Sequence, residues 1–368
     1  MLKSNLICIL AFCGSCIAFY IGAGFATMQE LLQYEASYGS QFIVVIVVTA
    51  LIYIFTNLSF AHNGKKNIST KEKSIYKVYC GKKIGTFYDC FSALFCYMSF
   101  IVMCGGANST AMQQWNLPNG VGAVLLTALV ILTVIFGLDG ILRVLSKLGP
   151  ILILFILIIS VGSIIQFHDN FSQNITLIDN GDIKLDQIGG GNPLISGASY
   201  GGFVILWFAS FISEASKKQD LKITTRGMLL SAFCIFSVAC ICCIALICSI
   251  DISSQSPIPA LSLATNVNSL LGLAFAVVIF IGIYTSAVPL LWTGVRKISK
   301  DGTTKYKIIT IIAGAIGCLI ACYVPYAPLL NVLYGINGYL GFALIALMIV
   351  HDIRMFLDTK KQKIKTNN

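Results

Sequence analysis

The chain has 368 residues, of which 57% are hydrophobic and only 11% charged, and its formal net charge is +10; its mean hydropathy is +0.85. A soluble domain carries about 25% charged residues, so this composition excludes one and points to an all-α integral membrane protein with the lipid bilayer as its solvent. The positive charge does not mark a nucleic-acid binder, because Lys and Arg gather between apolar runs, where they act as topology signals.

Apolar runs of about 20 residues, enough to cross roughly 30 Å of hydrocarbon, predict ten spans in a single membrane domain over 1–368. The first covers about 6–34 and is interrupted at Gly22 and Gly24; the second covers 41–61. A loop with Lys65, Lys66, Lys71, Lys73, Lys77, Lys82 and Lys83 follows. Spans three to five cover 87–112, 120–138 and 149–167. A longer polar loop, 168–191, carries Asp169, Asp179, Asp182 and Asp186. Spans six to eight cover 193–213, 228–250 and 268–295, and the last two cover 308–324 and 329–350, ahead of a solvated tail, 351–368. Alternating the loops between sides places every Lys and Arg except Lys184 on the side of Lys3. The positive-inside rule then predicts a multi-pass protein of a bacterial cell membrane with both termini cytoplasmic. No cleavable signal peptide is expected, since the first run leads straight into the glycine pair.

That pair sits in Tyr20-Ile21-Gly22-Ala23-Gly24-Phe25-Ala26-Thr27-Met28-Gln29-Glu30. Glycine costs about 1 kcal/mol in a helix interior relative to alanine, so two of them one residue apart predict a break. At membrane depth the freed amides must face protein or water, and they favour an anion there. Glu30 is an ionisable group in a span and by default a functional candidate. Its readings are a partner for a substrate amine, a cation or a proton, or else a wet residue at the entry. Gln29, Gln33 and Glu35 read as a progressively solvated exit from the membrane. Asn108 reads either as a vestibule residue or as a helix-packing hydrogen bond.

Ten spans divide into halves of five, over about 1–167 and 193–350. An odd count inverts the second half relative to the first, and such repeats place a site where discontinuous helices of each half meet. Span six carries Gly197-Ala198-Ser199-Tyr200-Gly201-Gly202-Phe203, which predicts a second break. Close helix packing is the other use of such glycines. Span eight carries Gly282-Ile283-Tyr284-Thr285-Ser286, whose hydroxyls either suit a small hard cation or bond back to their own helix. The 14 cysteines lie within or beside apolar runs, all but Cys80. Cys13 and Cys16, and the group Cys240, Cys242 and Cys243, read as small hydrophobes, because no His or second pair stands at metal-site spacing.

Interrupted spans one and six, the Thr-Ser pair in span eight and the inverted five-plus-five repeat together resemble the leucine-transporter fold of the amino acid–polyamine–organocation superfamily. The run Gly22 to Glu30 is similar to the first helix of the YkvI-type bacterial membrane proteins, which typically reads G-A-G-F-A-[ST]-G-Q-E. Met28 stands where that family usually has Gly, which implies a less bent outer half-helix. The resemblance implies a substrate site at Gly22, Ala23, Gly24 and Phe25, with Glu30 beside it and Tyr200, Gly201, Gly202 and Phe203 opposite. It also implies a Na⁺ site formed by the carbonyls of Ala18, Ile21 and Gly282 with the hydroxyls of Thr285 and Ser286.

The function expected is a secondary active transporter, a symporter that moves an amino acid or related zwitterion or anion by alternating access, coupled to Na⁺. No cofactor is expected besides that ion. The alternatives are an H⁺-coupled carrier using Glu30 and a permease-like receptor subunit of the germination type that senses a ligand without pumping. An enzyme is not expected, since metalloprotease, nucleophile-elbow and phosphate-loop motifs are all missing from the sequence.

Overall fold

The computed structural model describes residues 2–66, 74–136, 141–300 and 302–367. Lys71, Lys73 and the last two positions of the expected span 120–138 lie outside the described residues. Among the described residues all regular structure is helical. The first span is built from three pieces, α1 (Leu2–Tyr20), α2 (Ala23–Ala26) and α3 (Gln29–Tyr34). A 3₁₀ turn over Ala36–Gln41 leads into α4 (Phe42–Lys66), followed by α5 (Ile75–Trp115), α6 (Val121–Phe136), α7 (Ile141–Phe167) and α8 (Phe171–Asp179). The rest comprises α9 (Pro193–Lys218), α10 (Leu221–Cys248), α11 (Ile250–Ser253), α12 (Pro259–Val267), α13 (Ser269–Arg296), α14 (Thr304–Tyr323) and α15 (Tyr326–Asn367). Eight helical stretches among the described residues are long and apolar enough to cross a membrane, and α1 and α6 hold shorter apolar segments.

Helix starts are set by side chains that satisfy the otherwise unpaired first amides. Asn192 accepts from Leu194 N (2.9 Å) ahead of Pro193, Asp220 accepts from Lys222 N (2.9 Å), and Asn268 accepts from Leu270 N (2.9 Å). Large apolar side chains such as Phe233, Leu270 and Ile316 remain exposed on the outside of the bundle, as a chain solvated by lipid requires. At the bundle end that carries the Lys-rich loop, Lys77 lies 3.9 Å from Asp89, which also accepts from Ser74 (2.5 Å). Asp89 thus ties Ser74 and Lys77, before the turn at Gly81 (φ 68°) within α5, to the part of α5 that follows it.

Two segments that read as connections are folded against the bundle. In the long polar loop, α8 packs on the 3₁₀ turn and on α10, and Asn174 donates to the last carbonyls of α10, Ile247 O (2.8 Å) and Cys248 O (3.1 Å). Between α10 and α13, α11 and α12 bury Ile250, Ile258, Leu261 and Leu263.

The expected break in span six is absent. Helix α9 runs without interruption from Pro193 to Lys218, and its glycines serve close packing instead. They point to two different neighbours. A Cβ on Gly197 would lie 2.8 Å from Val45 O and one on Gly201 would lie 2.6 Å from Ile52 Cγ2, both on α4. A Cβ on Gly202 would lie 2.7 Å from Phe342 N and would run into Gly338 and Gly341 on α15. With α4 and α15 pressed on its two sides, α9 keeps its hydrogen-bond ladder, because small residues permit the backbone approach that holds the three helices together.

Gly202→Ala should therefore destabilise the protein by about 1–3 kcal/mol, the usual cost of overpacking. Gly335→Ala on α15, where an added Cβ meets nothing within 4 Å, should not. Thermal unfolding of the two detergent-purified variants measures the difference.

Candidate functional site

The first span breaks twice. At the first break the Gly22 amide donates to Tyr20 O at 2.8 Å, a three-residue turn that halts α1. Four residues of α2 follow, and the chain turns again at Thr27 and Met28. Met28 takes φ 60°, a left-handed conformation unusual for a side chain of this size. The less bent half-helix expected from Met at this position is therefore not what forms. The turn is kept, and Met28 is fully buried within it.

Protein meets the freed backbone groups. Ala260 N, at the start of α12, donates to Thr27 O (3.0 Å). The Thr27 hydroxyl donates to Gly24 O (3.0 Å) and lies 3.2 Å from the Tyr326 hydroxyl at the start of α15.

Glu30, on the first turn of α3, is 2% exposed, and its Oε2 accepts from the Tyr200 hydroxyl on α9 at 3.1 Å. Its Oε1 is buried with no hydrogen-bond partner. The carboxyl folds back against the break, where a Cβ on Gly24 would fall on Oε1, Cδ and Cγ of Glu30. Gly24, inside α2 between the two breaks, leaves the volume that the Glu30 side chain fills. Aromatic rings close the surroundings. Tyr34 stacks on Tyr200 with ring centroids 4.6 Å apart, Phe203 lies 5.6 Å from Tyr200, and Tyr20 lies 6.4 Å from it.

The solvated exit expected at Gln29, Gln33 and Glu35 is instead buried, at 4%, 1% and 0% exposure. The polar loop that leads into α9 covers it: Ile188 N donates to Gln33 O (3.2 Å), Gln187 Nε2 to Ser37 O (2.5 Å) and Tyr38 Oη to Ile188 O (2.7 Å). Glu35 Oε2 accepts from the Cys243 thiol of α10 at 3.1 Å, and its Oε1 has no partner. Sequence reasoning missed this pair, although the spacing of Glu30 and Glu35 on one short helical run was a signal. Beside it opens a cavity of about 780 Å³, lined among others by Gln29, Gln33, Asn108, Gln113, Tyr326 and Lys184. Both readings of Asn108 hold: it lines this vestibule and also donates to Asn119 Oδ1 (2.7 Å) while accepting from Gly120 N (2.8 Å).

Of the expected substrate residues, Gly24, Phe25, Glu30, Tyr200 and Phe203 gather at the break. Gly22 packs there against the ring of Trp207 (3.4 Å to an added Cβ), and Ala23 begins α2. Gly201 and Gly202 face α4 and α15. Among the expected cation ligands, the Thr285 hydroxyl donates to Gly282 O at 2.7 Å, the back-bond that such helices favour. Ala18 lies in the last turns of α1 and Ile21 at its break, Ser286 is half-buried, and α13 packs on α2. Among the described residues no three His, Cys, Asp or Glu side chains cluster as a metal site.

If Gly24 exists to seat the Glu30 side chain, Gly24→Ala should lower the melting temperature, and Gly24→Ala with Glu30→Ala should recover part of that loss. A double-mutant cycle on thermal stability should give a coupling of about 1 kcal/mol or more, in the range of residues in contact.

No family model matches the chain. It is 22% identical over 340 residues to an uncharacterized protein of Bacillus subtilis (strain 168), YyaD, spanning 90% of this chain and 94% of that one. It also superposes on the manganese transporter of Eremococcus coleocola. Two variants of that protein give TM-scores of 0.56 and 0.57 at 17% identity, covering 94% and 95% of this chain and 78% of theirs. Its complex with an aromatic bis-isothiourea compound gives 0.54 at 17% identity, covering 93% of this chain and 78% of the other. At this identity the likeness establishes the fold alone: the described residues, helical throughout their regular structure, share the architecture of that protein.

Proposed function

We propose that the protein is a secondary active transporter of a small zwitterionic solute of amino-acid size, working by alternating access. The observation that carries this reading is Glu30, a buried carboxyl beside a doubly broken helix, with one oxygen on Tyr200 and the other unpartnered. A buried carboxylate without a partner costs several kcal/mol, so the position favours a solute whose ammonium group occupies the bare oxygen. The amides of Ala23, Gly24 and Phe25 are at hand for its carboxylate. The vestibule floored by Gln29, Gln33 and Tyr326 is the route in, and the Thr27–Tyr326 contact closes it.

In this reading ten spans form an inverted five-plus-five repeat, with both termini on the cytoplasmic side of a bacterial cell membrane. The moving element is the broken first span, and continuous α9 is the wall it works against. Na⁺ is the coupling ion, held by the carbonyls of Ala18, Ile21 and Gly282 and by Thr285 and Ser286, which requires the Thr285 hydroxyl to turn its lone pairs toward the break. A proton is the second candidate, favoured by the fact that no Lys, Arg or His among the described residues pairs with Glu30.

Reconstituted into liposomes and screened with labelled amino acids and related amines, the protein should accumulate at least one of them. Glu30→Gln should reduce that uptake at least tenfold, about 1.4 kcal/mol. Under Na⁺ coupling, Thr285→Ala with Ser286→Ala abolishes the Na⁺ dependence of uptake; uptake indifferent to Na⁺ in the parent protein removes that ion. Under H⁺ coupling through Glu30, Glu30→Gln leaves residual exchange that no longer responds to a pH gradient.

A further inference from the structure

Glu35 caps the C-terminal end of α3, five residues beyond Glu30, and the two carboxyls face different helices. Glu30 turns to Tyr200 on α9, whereas Glu35 turns to Cys243 on α10. Glu35 is 0% exposed, its Oε2 accepts from a thiol and its Oε1 is bare. A thiol is a weak donor and cannot replace the hydration of a charged carboxylate. The titratable groups within electrostatic reach are Glu30 on α3, Tyr20 of α1, Tyr200 of α9, and Cys240, Cys242 and Cys243 of α10. Helix α12 brings no titratable residue to α3, α15 brings Tyr326 toward Glu30 and Tyr339 toward Tyr34, the 3₁₀ turn carries Tyr38, and the polar loop brings Lys184 and Asp186 to the cavity beside Gln29 and Gln33. All but Lys184 are acids, neutral when protonated, and Lys184 makes no ion pair with Glu35. No ion pair joins Glu35 to a base among the described residues, so no direct partner offsets a charge on it.

We infer that Glu35, held by the Cys243 thiol, is a proton-binding site separate from Glu30. The proton occupies the bare Oε1, leaving Oε2 as the carbonyl oxygen that accepts from Cys243, which is a positioning residue. The segment that carries Glu35 lies between two left-handed residues, Met28 (φ 60°) and Gly39 (φ 50°). Rotation of α3 about these points parts Glu35 from α10 and admits water from the vestibule, so that the proton leaves to water and the carboxylate is hydrated as it forms. This rests on the transport reading with its second candidate, a proton, as the coupling ion: that proton then sits on Glu35 rather than on Glu30, which is left to the solute.

Infrared spectroscopy of the full chain in liposomes at neutral pH tests the site without any solute. A protonated-carboxyl stretching band should be present in the parent protein, and Glu35→Gln should remove one component of it. Cys243→Ala should shift that component to higher frequency, since a carbonyl that loses a donor stiffens, while Cys243→Ser should keep it low. Glu30→Gln should leave it in place. A band untouched by Glu35→Gln overturns the proton site, and a component that Cys243→Ala does not move overturns the role of the thiol. Loss of the same component in Glu30→Gln would mean one shared proton and would overturn the separate site. Failure of uptake in the solute screen, with these bands as expected, would count against transport alone.

Discussion

Carboxyl groups removed from water govern how the centre of this protein is built. Glu30 sits on the six-residue helix α3 and Glu35 caps its C-terminal end, and neither is paired with a base among the described residues. Burying an unpaired carboxylate is among the most costly arrangements in a fold, even before lipid is considered. The surrounding features follow from accommodating the pair. Gly24 leaves room for one side chain, Tyr200 and Cys243 donate to the two acids from different helices, and aromatic rings exclude water. A site of this kind is stable only while it is neutral or paired with a cation.

The glycines of the chain divide between two uses that look alike in the sequence. In the first span Gly22 stands where the backbone leaves its helix and Gly24 makes room for Glu30, while Ala260 N and the Thr27 hydroxyl take up the Thr27 and Gly24 carbonyls. The glycines of α9 keep the helix whole and bring it against α4 and α15. The difference lies in what surrounds each pair. Around Gly24 a neighbouring acid fills the space a side chain would need, whereas around Gly202 it is the backbone of another helix. The result is an asymmetric core, with one broken span beside one continuous helix.

The vestibule and its cover add a second layer. A polar loop could have remained in solvent, yet α8 and the residues up to Ile188 bond to the backbone of the first span's far end and to the end of α10. Those bonds bury Gln29, Gln33 and Glu35, and they also tie the hinged segment to the loop above it. Movement of α3 must therefore move or release that loop.

The sequence by itself determined the solvent of the protein, the position of most apolar helices, the break at Gly22 to Gly24 and the candidacy of Glu30. Each follows from local quantities: run length, helix propensity and the cost of charge in hydrocarbon. Only the tertiary structure decided that α9 stays continuous, that Met28 accepts a left-handed turn, that Glu35 is buried and that Cys243 is its partner. These outcomes depend on which surfaces meet across more than a hundred residues of chain, as Tyr200 meets Glu30 and Cys243 meets Glu35. No local pattern encodes such a meeting, because the same glycine pair or the same acid is compatible with either environment until its neighbours arrive.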